Sequence, residues 1–119
     1  MHELSVAQSI VEIIQQHVPP AEWHRVAAVR CKIGMSAGVV PDSLAFSFQA
    51  ITAESFLSQA TLEIESIPFR IHCRACGTTK ENEAGWAMCS SCGSMETTIL
   101  SGYEMQITEI ELSEPVAHA

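Results

Sequence analysis

The chain has 119 residues, enough for one domain or for a small domain with a metal-stapled appendage, and its 47% apolar content puts a hydrophobic core within reach. No apolar run approaches the roughly 20 residues of a membrane helix, and no Lys or Arg precedes Arg25, so no secretory leader is expected and a cytoplasmic location is. The net charge of −8 argues against nucleic acid, whose phosphates call for a positive field, and suits cations and basic partner surfaces. Between Pro68 and Thr98 three basic residues (Arg70, Arg74, Lys80) balance three acidic ones (Glu81, Glu83, Glu96), so the surplus acid lies elsewhere.

From Leu4 to Val18 the apolar residues Ala7, Ile10, Val11, Ile14 and Val18 recur at three- and four-residue steps, which predicts an amphipathic helix stopped by Pro19 and Pro20. The period then changes to two: Val29, Cys31 and Ile33 alternate with Arg30 and Lys32, a half-buried strand. "GMSAGVVPDS" reads as a loop, with Pro41 suited to the first position of a second helix carrying Leu44, Phe48 and Ile51. A second strand follows with Leu62 and Ile64 inward. Beyond the cysteine-rich segment lies a third, with Met105, Ile107, Ile110 and Leu112.

The order helix, strand, helix, strand, cysteine segment, strand predicts an α+β fold. In it a small three-stranded sheet is covered by two helices, and a zinc-ribbon-like domain with four cysteines is inserted between neighbouring strands. The expected division is a discontinuous α/β domain of residues 1-67 and 99-113, a zinc-binding domain of residues 68-98, and a disordered tail, 114-119.

Cys73-x-x-Cys76 and Cys89-x-x-Cys92 each precede a glycine, Gly77 or Gly93. Two such knuckles can gather four thiolates tetrahedrally around one zinc ion, the glycines permitting tight turns. Four thiolates leave no open position for water, so the site is expected to be structural. Iron fits the same ligands, and a disulfide reading suits an oxidising compartment, for which nothing in the sequence speaks. His72, beside Cys73, reads as a solvent-facing loop residue, the alternative being that it replaces a thiolate if the knuckle rearranges. Cys31, on the inward parity of a strand, reads as core.

The chain opens "MHELSVAQSI". With Met1 retained, its amine, the amide nitrogen of His2 and the His2 imidazole can close two adjoining chelate rings on one cation, a planar arrangement preferred by Ni(II) or Cu(II). Glu3 can complete the fourth position through its carboxylate or its own amide. The first amides of a helix have no intrahelical acceptor, so His2 gives up no ladder bond. A dication there opposes the helix dipole at a cost of about 0.3–1 kcal/mol. The bland alternative is a solvated helix start in which Glu3 simply favours the dipole. His17 suits the last carbonyls of the first helix, while His24 lies in a loop and His118 in the tail.

"MHELSVAQSI", "IGMSAGVVPDSLAFSF", the paired Cys-x-x-Cys motifs and "SGYEMQITEIEL", in this order, resemble the HypA family of nickel metallochaperones of hydrogenase maturation, across nearly the whole chain. The resemblance implies a nickel-binding α/β domain with an inserted zinc domain. It implies that Met1, His2 and Glu3 bind nickel and that Cys73, Cys76, Cys89 and Cys92 hold structural zinc. It also implies delivery of nickel to the [NiFe] hydrogenase large subunit with a GTPase partner, and in some organisms toward urease. Some members carry an acidic residue in the loop before the second helix; here Val39 and Val40 stand there and Asp42 is the nearest carboxylate.

The expected function is therefore a non-enzymatic nickel carrier. The competing reading, from another class, is a zinc-ribbon module that only docks onto another protein.

Overall fold

The computed structural model describes residues 3–115. Met1 and His2, two of the expected nickel ligands, and residues 116–119 of the expected tail, His118 among them, lie outside that range.

The first helix, α1 (Glu3–His17), buries Val6, Ala7, Ile10 and Ile14 at helical spacing, and Val18 continues the stripe just past its end. Pro19 and Pro20 stop it as expected, but the chain then winds into a short 3-10 helix, Pro20–Arg25, where the sequence suggested only a loop. Its Trp23 explains this: the indole N–H donates to the Val18 carbonyl at 2.8 Å and the ring packs on Phe56 with centroids 4.5 Å apart.

Strand β1 (Val26–Gly34) buries Val29, Cys31 and Ile33 and leaves Arg30 and Lys32 half-exposed, the alternation read from the sequence. Helix α2 (Pro41–Thr52) starts with Pro41 in its first turn and buries Leu44, Phe48 and Thr52. Thr52 takes the inward place expected of Ile51, and its hydroxyl donates to the Phe48 carbonyl at 2.7 Å, so no polar group is buried unpaired. β2 (Thr61–Ile67) keeps Leu62 and Ile64 half-buried, and β6 (Met105–Leu112) does the same with Ile107 and Ile110.

These strands form one sheet in the order β2-β1-β6. Ser113 donates to Arg25 and Gly34 to Glu104, so β1 and β6 run antiparallel. Cys31 approaches the Glu63 carbonyl and Met35 donates to Ile67, so β1 and β2 run parallel. A parallel pair needs a crossover, and α2 supplies it. The inner face of β1 and the buried stripes of α1 and α2 supply the core, with α1 packed on α2.

By packing, the chain divides into two compact units: one of residues up to 31, 39–65 and 107 onward, the other of residues 32–38 and 66–106. The second holds its own sheet in the order β4-β3-β5, with β3 (Arg70–Cys73) flanked antiparallel by β4 (Thr79–Glu81) and β5 (Thr97–Ser101). Phe69 and Ile71 are its buried apolar anchors. Gly34 lies so close to Gly102 that a Cβ on Gly34 would stand 2.1 Å from the Gly102 carbonyl carbon, so only glycine fits there.

Candidate metal centre

Cys73 ends β3, Cys76 lies in the turn leading to β4, and Cys89 and Cys92 belong to the second turn, before β5. The two turns fold alike. Gly77 donates to the Cys73 carbonyl and Gly93 to the Cys89 carbonyl, both at 2.8 Å, while Cys73 and Cys89 donate in turn to Thr78 and Ser94. Closing each turn requires left-handed backbone at the glycine, φ 78° at Gly77 and 76° at Gly93. A side chain at either position would meet no atom within 4 Å, so conformation rather than space demands glycine.

The four sulfurs lie within 4.8 Å of one another, with Cys73 and Cys92 3.6 Å apart and Cys76 and Cys89 3.7 Å apart. Four ligands at the usual zinc–sulfur distance of about 2.3 Å stand about 3.8 Å from each other in a tetrahedron. Bonded sulfurs would be about 2.05 Å apart; these cysteines are free. Cys73 and Cys89 are buried, Cys76 and Cys92 exposed.

Charge crowding makes the same point as distance. The Thr78 hydroxyl, then its backbone N–H, hold the Cys76 thiol down at about 6. The backbone N–H groups of Cys92 and Ser91 lower Cys89. At Cys92 the Ser94 N–H also favours the thiolate, but the Cys73 sulfur, partial desolvation within the cluster, and the sulfurs of Cys89 and Cys76 outweigh it and push the thiol up to about 12. Amides thus aim at the sulfurs to receive negative charge, yet the group cannot hold four negative charges without a cation. Geometry and charge fit one thiophilic dication such as zinc. Thr78 was not singled out from the sequence, although its place two residues after Cys76 is where a knuckle puts a donor.

Glu3 opens α1, and its carboxylate accepts a hydrogen bond from the Val40 amide at 3.3 Å. Asp42, the nearest carboxylate of that loop, is exposed in the first turn of α2. His17 Nδ1 lies 2.9 Å from the Ile13 carbonyl, the helix-end role expected of it. His24 is exposed in the 3-10 helix. His72 departs from expectation: it belongs to strand β3, not a loop, and its Nδ1 pairs with the Thr79 hydroxyl at 2.9 Å across the β3/β4 ladder. Cys31 is buried in β1, where desolvation pushes its thiol up. Among the described residues the four cysteines are the one cluster of metal-ligating side chains.

A family model described as "Hydrogenase/urease nickel incorporation, metallochaperone, hypA" matches residues 1–112. The hydrogenase maturation factor HypA of Geobacter metallireducens is 38% identical over 112 residues, covering 94% of this chain and 99% of its own. That of a Roseiflexus species is 34% identical over 120 residues, covering 100% of this chain and 98% of its own. Among solved structures, the solution structure of the Ni metallochaperone HypA from Helicobacter pylori aligns with a TM-score of 0.64 over 97% of this chain and 100% of that one. At 24% identity this likeness speaks for the fold.

Proposed function

The chain belongs to the HypA family of hydrogenase and urease nickel-incorporation metallochaperones, and from that premise we propose that it binds Ni(II) at its amino terminus and delivers it to the [NiFe] hydrogenase large subunit. Met1 contributes its amine, His2 its amide nitrogen and imidazole, and Glu3 its amide or carboxylate. Cys73, Cys76, Cys89 and Cys92 hold zinc, which when bound neutralises the thiolates and staples the two turns. The protein is a carrier and no enzyme; nickel is its cargo. Its partners are the large subunit and a GTPase of the maturation machinery, and it works in the cytoplasm.

In this division of labour residues 1-67 and 99-113 carry the cargo, and residues 68-98 form the zinc-binding domain. The observation that supports the reading is the extent of the family match: residues 1–112 include both the Met-His-Glu start and all four cysteines.

The test is calorimetric nickel titration of zinc-loaded protein beside His2→Ala and a version with two residues added ahead of Met1. The extension leaves every side chain in place and removes only the free amine from its position next to His2. Collapse of binding in both variants is the expected result. Unchanged binding in both would leave the amino terminus without a role in carrying nickel.

A further inference from the structure

In the unit that carries the cysteines, Met35, Pro68, Phe69, Glu81, Asn82 and Glu83 line a cleft of about 260 Å³. Phe69 is buried and Pro68 half-buried in its lining, and the two carboxylates there, Glu81 and Glu83, are exposed. Glu81 stands 4.0 Å from Arg70, an exposed and therefore weak pair. Glu83 has no ion-pair partner among the described residues.

The cleft is joined to a built turn. Asn82 donates its backbone N–H to the Phe69 carbonyl, and its side chain holds Trp86 at both ends, accepting from the Trp86 N–H at 2.9 Å and donating to the Trp86 carbonyl. Gly85 allows the turn with φ 71°, a left-handed backbone that side chains rarely adopt, and a Cβ there would also stand 2.9 Å from the Ser36 hydroxyl. The product of these constraints is a Trp86 that remains 63% exposed. Met88 and Met95, flanked by the Thr97–Ala87 and Cys89–Ser94 hydrogen bonds, are exposed as well.

Asn82 holds the backbone of Trp86 while its indole is left outside this unit's core, and tryptophan is a frequent anchor of protein interfaces. The cleft is smaller than the roughly 300–1,000 Å³ of small-molecule sites. A lining that joins Met35, Pro68 and Phe69 with two carboxylates complements a side chain that has a hydrocarbon stem and a cationic head. We propose that this cleft receives an arginine or lysine side chain of a protein partner, while Trp86 packs against the apolar residues around it. The partner is the protein to which nickel is delivered, so the proposal rests on the delivery reading above.

The experiment is titration of zinc-loaded full-length chain with the purified hydrogenase large-subunit precursor, for the parent, Glu83→Arg and Trp86→Ala. Circular dichroism and zinc content verify that each variant is folded, and a nickel titration is run on each. The expected result is an affinity lower by about tenfold or more in both variants. Parent binding weakens as salt rises, and nickel affinity is unchanged throughout. If folded variants bind the precursor as the parent does, the cleft is not the docking site and the delivery reading stands. A parent that fails to bind the precursor with or without nickel overturns the delivery reading, and the proposal falls with it.

Discussion

The Glu3 carboxylate and the Val40 amide are joined by a hydrogen bond of 3.3 Å, which ties the first turn of α1 to the residue just before α2. Val40 is used twice, since its carbonyl also accepts from Leu44 at 2.9 Å to open the helix. With its carboxylate engaged there, the proposed nickel site would draw on the backbone of Glu3 rather than its side chain. Glu3→Gln, which keeps an acceptor for Val40, is expected to bind nickel within about threefold of the parent, as an exposed hydrogen bond changes energies by about 1 kcal/mol or less. A loss of tenfold or more in calorimetry would show that the carboxylate leaves Val40 to become a ligand.

Nickel binding is expected to weaken on acidification. The proposed donors include an amine with pKa about 8 and an imidazole near 6.5, and each must be unprotonated to bind. Affinity therefore falls as pH drops, steeply below about 6.5, where the imidazole also holds a proton. Calorimetry across this range, with zinc content followed in parallel, checks the sign; affinity that is flat with pH would exclude these donors.

Thiol chemistry separates the fifth cysteine from the other four. Cys31 is buried and its thiol is pushed up by desolvation, so it stays protonated and unreactive in the folded protein. Alkylation of the zinc-loaded protein followed by intact mass is expected to give little adduct. After a strong chelator, Cys73, Cys76, Cys89 and Cys92 are expected to react while Cys31 does not. Early modification of Cys31 would contradict its place in the core.

Arg30 stands on the central strand with Glu63 of β2 at 3.4 Å and Glu111 of β6 at 3.0 Å, and it also pairs with Glu109. Hydrogen bonds to Glu111 and then Glu109 raise its already high pKa. Replacing it by Met leaves carboxylates of three positions facing one another across the sheet. The melting temperature is expected to fall by a few degrees, more at low salt than at high salt, and to recover in part with Glu111→Gln added. A loss independent of salt would assign the role of Arg30 to packing of its stem.

Gly34→Ala is expected to cost more than about 2 kcal/mol, because the new Cβ would meet backbone, which cannot rotate aside. The obstructing atoms are the carbonyl carbon and oxygen of Gly102, both 2.1 Å from the Cβ position. Denaturant unfolding measures the loss, and Gly77→Ala is a useful comparison because its obstacle is only a positive φ in open space.

The long elements were legible in the sequence because each places a repeating set of apolar residues on one side. α1, β1, α2 and β2 follow from Ala7, Ile10 and Ile14, from Val29, Cys31 and Ile33, from Leu44 and Phe48, and from Leu62 and Ile64. The knuckles were legible because metal chemistry fixes their spacing. The short strands of the cysteine unit were not: β4 is exposed at every residue and β3 buries only Ile71 and Cys73, too little for any periodicity. Gly34 carried no sign of its role, which depends on Gly102, a residue far along the chain. Nor did the Glu3–Val40 bond, whose acceptor is a side chain but whose donor is plain backbone.

The strand order β2-β1-β6 also has a meaning in time. The ribosome makes the middle strand first, one neighbour after α2, and the other only after both knuckles have emerged. Until Met105–Leu112 leaves the exit tunnel, β1 has one bare side and Arg30 lacks two of its three carboxylates. A chain stalled before that point would display an unpaired edge to chaperones and proteases. Completion of the helix-bearing unit during synthesis is thereby made to wait until the four cysteines are available to metal.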